Sequence, residues 1–183
     1  MSLPTSIDLG EDAVLRRYTM GDLEQLWAVV QAERDHLAPW MPWIEATRTV
    51  EDQAAWLRTV VDRADSLGGC GVFVAGHLAG ACDLTWDPFR ISGDIGYWLR
   101  ASFEGRGLIT RSARAITDVA FAQVGLNRVV IRAGVENERS RAIAERLGFT
   151  SEGIARGEGR GSGGFYDLVV YAMLADEWRV EAG

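Results

Sequence analysis

The stretch Ile95-Gly96-Tyr97-Trp98-Leu99-Arg100-Ala101-Ser102-Phe103-Glu104-Gly105-Arg106-Gly107-Leu108-Ile109-Thr110 runs an apolar strand into a glycine-bracketed turn that opens directly into a helix. The strand places the turn, and the turn aims several backbone N–H groups at one point. The helix adds the positive end of its dipole, so the turn is a seat for a phosphate or pyrophosphate. Gly105 and Gly107 matter because a side chain there would hold an anion away from the backbone. Taken alone, a Gly-x-Gly turn serves equally as a plain tight turn. Its neighbours give it meaning.

Downstream, apolar Ile109, Ala113, Ile116 and Ala120 recur at spacings of four, three and four, so one helix face packs on a sheet. Arg128–Gly134 follows as a nearly unbroken Val-Val-Ile strand of the kind buried on both faces. A second helix, from about Glu138 to Leu147, stops at Gly148 with Phe149 behind it, an αL cap with its hydrophobic contact. Upstream, Val72–Ala75 and Ala79–Trp86 read as a hairpin about Gly76-His77, and Asp94–Leu99 is the strand feeding the glycine turn. The chain starts with strands Ile7–Leu9 and Val14–Tyr18. Thr19 with Asp22, and Thr49 with Asp52, are capping-box starts for two helices. The first carries Leu23, Leu26, Trp27 and Val30 and fades near His36; the second carries Ala55, Trp56, Val60 and Val61. Strands Thr150–Arg156 and Tyr166–Leu174 close the chain around Gly157-Glu158-Gly159-Arg160-Gly161-Ser162-Gly163-Gly164. Five glycines in those eight residues predict a mobile hairpin end. The sum is a mixed α/β (α+β) domain, read as one unit over residues 1–183.

Composition narrows the chemistry. A chain of 183 residues, 48% apolar and 25% charged, buries a core without staples. No run approaches the ~18 apolar residues of a membrane span, and Met1-Ser2-Leu3-Pro4-Thr5-Ser6 lacks the basic start of a secretory leader. A cytoplasmic protein with no membrane partner is expected, its Cys70 and Cys82 reduced. A net charge of −7 disfavours nucleic acid and favours a cationic acceptor, such as an amine or a basic polypeptide. All 19 basic residues are arginine, so Schiff-base chemistry and a Gly-Lys-Ser/Thr phosphate loop are excluded. His36 and His77, far apart and without clustered thiols, make no metal site.

The turn, the buried strand and the second helix stand in one order with Trp40-Met41-Pro42-Trp43, Leu126-Asn127-Arg128, Asn137-Glu138-Arg139-Ser140-Arg141-Ala142-Ile143, Arg146-Leu147-Gly148-Phe149 and Tyr166-Asp167. In that order and spacing, from the first strand to about Trp178, the chain resembles the GNAT superfamily of acyl-coenzyme A N-acyltransferases. Within it, the chain is most similar to the bacterial ribosomal-protein serine/alanine N-acetyltransferases of the RimL type. The resemblance implies a mostly antiparallel, splayed sheet flanked by about four helices, with the pantetheine arm of acetyl-CoA in the splay. Its amides would pair with backbone near Tyr97 and Leu99. Its pyrophosphate would rest on Gly105, Arg106, Gly107, Leu108, Ile109 and Thr110, with side-chain contacts from Arg106 and Thr110. Glu104 and Ile109 depart from the superfamily's Gln/Arg-x-x-Gly-x-Gly/Ala pattern. A carboxylate beside a pyrophosphate is unfavourable unless it points away.

Asn137 is either the plain N-cap of its helix or a cap that also bonds the pantetheine. Ser140, one turn on, would face the sulfur and protonate the leaving thiolate, because Ala144 stands where many relatives carry a tyrosine. The ammonium proton needs a route, and an α-amine, with pKa near 8, needs only a modest base. Asp83, Asp94 and Asp167 are the candidates, beside a water-mediated route. Asp167 fits the subgroup's Tyr/His-Asp pattern as a substrate-site residue or serves as a structural partner of backbone N–H groups. Trp40 and Trp43 either plug the core between the first two helices or wall the acceptor pocket. The expected activity is acetyl transfer from acetyl-CoA to a primary amine by direct attack. The N-terminal α-amine of a ribosomal or other protein is the leading acceptor. A small-molecule amine, an aminoacyl-nucleotide-like antibiotic or a polyamine, is the alternative, and a non-catalytic acyl-CoA sensor the rival of another class. A homodimer is left open.

Overall fold

The computed structural model describes residues 4–62, 67–87, 89 and 91–178, so the first three residues of the stretch read above for a leader lie outside the described residues. The strands are β1 (Ser6–Gly10), β2 (Ala13–Arg17), β3 (Cys70–Val74), β4 (His77–Asp87), β5 (Ser92–Leu99), β6 (Arg128–Gly134), β7 (Thr150–Gly161) and β8 (Gly164–Leu174). The helices are α1 (Leu23–Ala32), α2 (Arg34–Leu37), α3 (Trp43–Ala46), α4 (Val50–Val61), α5 (Leu108–Val119) and α6 (Glu138–Arg146). One sheet runs β1-β2-β3-β4-β5-β6-β8-β7, with β8 inserted between β6 and β7. Every pair is antiparallel except β5 with β6. The expected mixed, mostly antiparallel fold is present, with the anticipated helix count raised by the one-turn α2 and α3.

Two apolar layers sandwich the sheet. On one face α5 and α6 pack Leu108, Ala113, Ile116 and Ala144 against Leu84, Ile95, Val129 and Ile131. On the other, α1 and α4 pack Leu26, Val30 and Leu57 against Tyr18, Phe73 and Leu78. Burying a side chain of this size contributes about 1.5–3 kcal/mol, so each face is well anchored. Both capping boxes form, at Thr19 with Asp22 and at Thr49 with Asp52. The α4 face differs from its reading: Gln53, Ala54 and Leu57 turn inward, while Ala55 and Trp56 are exposed. The β3–β4 turn sits one residue earlier than expected. Ala75 and Gly76 both have positive φ (48° and 80°), the geometry of a tight two-residue hairpin turn, and His77 already belongs to β4.

The glycine-rich segment is strand, not a mobile end. β7 continues to Gly161, turns at Ser162-Gly163 and returns as β8, with a register shift between Ala155 and Gly159. Packing explains the glycines. A Cβ on Gly159 would lie 2.2 Å from the Tyr166 ring, and one on Gly161 would lie 1.9 Å from the Pro39 carbonyl oxygen. The hairpin tip is fastened there by Ser162 N–H donating to the Ala38 carbonyl (2.9 Å) and Tyr166 hydroxyl donating to the Trp40 carbonyl (3.1 Å). Gly161→Ala therefore pushes the tip off Pro39. The expected cost is about 1–3 kcal/mol of overpacking, read as a lowered Tm.

Candidate active site

The site begins where two strands part. β5 pairs with β6 only from Ser92↔Arg128 to Ile95↔Ile131, although β5 runs on to Leu99 and β6 to Gly134. Beyond that point their backbones separate, and a cleft of about 980 Å³ opens along Tyr97, Trp98 and Leu99. The expected splay is there, and a cleft this size accommodates a large, extended ligand.

One end of the cleft is an anion seat. Gly105 (φ 75°) and Gly107 (φ 68°) hold the left-handed conformation that turns the chain from a short 3-10 turn into α5, whose N-cap is Gly107. The first-turn N–H groups of α5 have no partner within the helix, and Leu108, Ile109 and Thr110 line the cleft. Three arginines that local sequence did not single out gather here: Arg111 from α5, and Arg139 and Arg146 from α6. Arg146 donates to the Thr110 hydroxyl at 3.3 Å. Glu104 does face the cleft, but it is neutralised, forming an ion pair with Arg139 and approaching His36 Nε2 at 3.4 Å. Arg106 lies outside the lining; its guanidinium stacks over the Phe103 ring at 5.4 Å. This donor set suits a diphosphate: backbone N–H groups, a helix N-terminus and three guanidinium groups. Arg146→Ala removes one charge-assisted contact and should weaken coenzyme A binding about tenfold, measured by calorimetry.

At the centre of the cleft, α6 presents Asn137 and Ser140. Asn137 caps the helix, its Oδ1 accepting from Ser140 N–H at 3.1 Å, and it also lines the cleft. The Tyr97 phenol, reaching across from β5, lies 3.0 Å from Ser140 Oγ and donates to the Ser140 carbonyl at 3.1 Å. Burial raises its pKa despite the Ser140 hydrogen bond, so it stays protonated and holds the serine hydroxyl in place. Ala144, where a tyrosine acid was missing, is fully buried. The resemblance implied a backbone role only for Tyr97; its phenol was legible only once β5 and α6 were adjacent.

A second cavity of about 260 Å³ shares Tyr97, Trp98 and Met41 with the cleft, so the two chambers are neighbours with β5 in their common wall. Trp43, Trp56, Trp98 and Tyr18 supply aromatic lining, and Trp43 lies 6.3 Å from Trp98. Trp40 and Trp43 thus divide: Trp40 lines the larger cleft, packed edge-on to Tyr166 at 5.4 Å, and Trp43 the smaller chamber. Asp83 of β4 is the carboxylate of the smaller chamber. It stands opposite Gly96, whose missing side chain leaves open space above it. Burial pushes the Asp83 carboxyl up to about 7, against backbone hydrogen bonds from Cys70 and Gly69 that favour the charged form. A carboxyl that titrates near neutrality inside a cavity is matched to accepting a proton.

The remaining predicted residues lie elsewhere. Asp94 lines neither cavity and forms an ion pair with Arg132. Asp167 also lines neither; its Oδ1 accepts from Gly157 N–H at 2.8 Å and pins the irregular stretch of β7. Cys82 is cross-strand to Tyr97 yet fully buried, and burial raises both thiols, Cys70 to about 12. Neither thiol is poised as a nucleophile. Among the described residues, no cluster of metal-ligating side chains occurs and no helix is long and apolar enough to cross a membrane.

The family described as "Acetyltransferase (GNAT) domain" matches residues 12–150. The protein named "Putative ribosomal N-acetyltransferase YdaF" of Bacillus subtilis is 34% identical over 94% of this chain and 97% of its own. A crystal structure titled "Probable acetyltransferase" superposes with a TM-score of 0.86 at 32% identity, covering 94% of this chain and 98% of the other. RimL, an alpha-N-protein acetyltransferase of a ribosomal protein solved with coenzyme A, shares the fold at a TM-score of 0.86 and 24% identity, covering 94% and 99%.

Proposed function

This chain belongs to the GNAT acetyltransferase family, and from that premise we propose that it moves an acetyl group from acetyl-CoA to the N-terminal α-amine of a protein by direct attack. One observation carries the reading: an anion seat and a carboxylate of raised pKa line two neighbouring cavities that share Met41, Tyr97 and Trp98 as a wall. Bound acetyl-CoA supplies the acetyl group as an activated thioester. Gly105, Gly107 and the α5 N-terminus hold its diphosphate, with Thr110, Arg111, Arg139 and Arg146 around them. Backbone along Tyr97 and Leu99, freed by the splay, and Asn137 lie along the arm.

Asp83 takes one proton from the acceptor ammonium, leaving a neutral amine whose nitrogen forms the new C–N bond. As the C–S bond breaks, Ser140 gives its hydroxyl proton to the departing sulfur and regains one from the amide nitrogen; the proton on Asp83 passes to solvent. The smaller chamber has room for one residue-sized group, which favours a chain terminus as acceptor. The ribosomal name of the Bacillus subtilis relative and the net charge of −7 support a basic protein partner in the cytoplasm. The whole chain acts as one catalytic domain.

Thiol release from acetyl-CoA, measured against N-terminal peptides, free amines and polyamines, tests the assignment. Turnover on peptides is expected. Turnover on polyamines alone would replace the acceptor, and tight cofactor binding with no turnover at all would favour a sensor. Ser140→Ala is expected to lower kcat by roughly a hundredfold, the low end of general acid catalysis, with acetyl-CoA affinity retained. An unchanged rate would remove Ser140 from the mechanism.

A further inference from the structure

The smaller chamber contains two buried polar atoms with no hydrogen-bond partner: the Tyr18 hydroxyl and Gln53 Oε1. Both residues are 3% exposed. Two buried hydroxyls elsewhere in the fold, on Ser112 and Thr117, are satisfied within their own helix. Ser112 donates to the Leu108 carbonyl at 2.9 Å and Thr117 to the Ala113 carbonyl at 2.7 Å. Leaving a buried donor or acceptor unmade is costly, and native folds rarely tolerate it without a reason. Here two such atoms belong to residues that line one cavity, together with Asp83 and with the Tyr97 and Trp98 that the cleft shares.

Their chemistry defines a complement. Gln53 Oε1 accepts only, so it calls for a donor. The Tyr18 phenol both donates and accepts, and burial with the nearby Asp83 carboxylate raises its pKa, keeping it protonated. The surrounding side chains, Leu26, Val30 and Trp56 among them, give an alkyl group company but give these two atoms nothing. A hydroxyl answers both needs, and a methyl group or a hydrogen atom answers neither.

We propose that Tyr18 and Gln53 form a specificity subsite that reads the side chain of the acceptor's terminal residue and selects a short hydroxyl-bearing group over an alkyl one. The inference rests on the acetyl-transfer reading, with the amine beside Asp83 and the side chain toward Tyr18 and Gln53. Sites built to bond a substrate hydroxyl reject analogues that lack it far more strongly than apolar pockets reject a missing methylene.

The test uses acetyl-CoA and pentapeptides differing only in the first residue, serine, alanine or glycine, with the parent protein, Gln53→Met and Tyr18→Phe. The parent is expected to favour serine over alanine in kcat/KM by at least about tenfold. Each variant should lose that margin through the serine peptide alone, leaving alanine within a factor of about three. Gln53→Met should also raise Tm, because it replaces an amide with an unpaired buried oxygen by an apolar side chain of similar shape. Equal use of serine and alanine by the parent overturns the subsite, as do variants that slow both peptides alike or a Gln53→Met that melts earlier. Absence of thiol release with every acceptor would overturn the acetyl-transfer reading itself, a different result from lost discrimination.

Discussion

Gly107→Val is expected to weaken acetyl-CoA binding by at least about a hundredfold. Two losses add. Gly107 holds φ at 68°, a conformation that costs an ordinary L-residue about 1–2 kcal/mol and a β-branched one more. A side chain at the N-cap of α5 also stands between the ligand and the first-turn N–H groups, where each charge-assisted contact is worth about 1.5–3 kcal/mol. Nothing inside the protein obstructs the change, since a Cβ there meets no atom closer than Arg111 Nη1 at 3.6 Å. Beyond the stability lost to the left-handed φ, the damage is therefore directed at ligand binding. Gly125→Val is the control: its φ of 78° is equally left-handed, but it lies past the far end of α5. That variant should lose stability and keep affinity. Calorimetry with acetyl-CoA reads both, and an undiminished affinity in Gly107→Val would refute the anion seat.

Asp83→Asn carries the second large effect. The parent should show kcat/KM rising with pH and levelling above about 7, where the Asp83 carboxyl has lost its proton. The asparagine variant cannot accept that proton, and its rate should fall by about 10²–10⁴ with the limb near neutrality gone. What remains is the titration of the acceptor amine itself, near 8. Stability moves the opposite way. The folded carboxyl binds its proton more tightly than the unfolded one, whose pKa is near 3.9. This group therefore favours the native state at low pH, and its contribution erodes as pH rises from about 4 to about 7. Asp83→Asn should accordingly melt higher than the parent above pH 7, the gain vanishing toward pH 4. A parallel loss of activity and Tm would mark Asp83 as a structural carboxylate that only holds Cys70 and Gly69.

What local sequence revealed and what it hid divide along a physical line. The strand, glycine turn and helix around Gly105 and Gly107 were readable because positive φ and a 3.6-residue period are properties of neighbouring residues. The cap at Asn137 was readable for the same reason. Arg139 and Arg146 were not, because they reach the anion seat only when α6 lies alongside α5. Gln53 drew no reading, since α4 was assigned Ala55, Trp56, Val60 and Val61 as its apolar residues; the fold exposes Trp56 over Tyr18 and turns the Gln53 side chain inward. Gly159 and Gly161 read as part of a mobile hairpin end because glycine is a poor strand former. Their reason lies in Tyr166 and Pro39, the latter more than a hundred positions away. Asp83 was among the candidates, but the desolvation that raises its pKa belongs to the assembled chamber.

The insertion of β8 between β6 and β7 sets a timetable for the enzyme's own birth. While the chain is being made, β6 emerges without a neighbour on its outer side, and β7 follows with no edge to join. Only when β8 leaves the ribosome can it zip both at once, bringing the hairpin tip down onto Pro39. Such late, long-range pairing is slow to nucleate. A nascent copy is thus held idle until β8 is free to pair, with an unfinished sheet that invites chaperone protection.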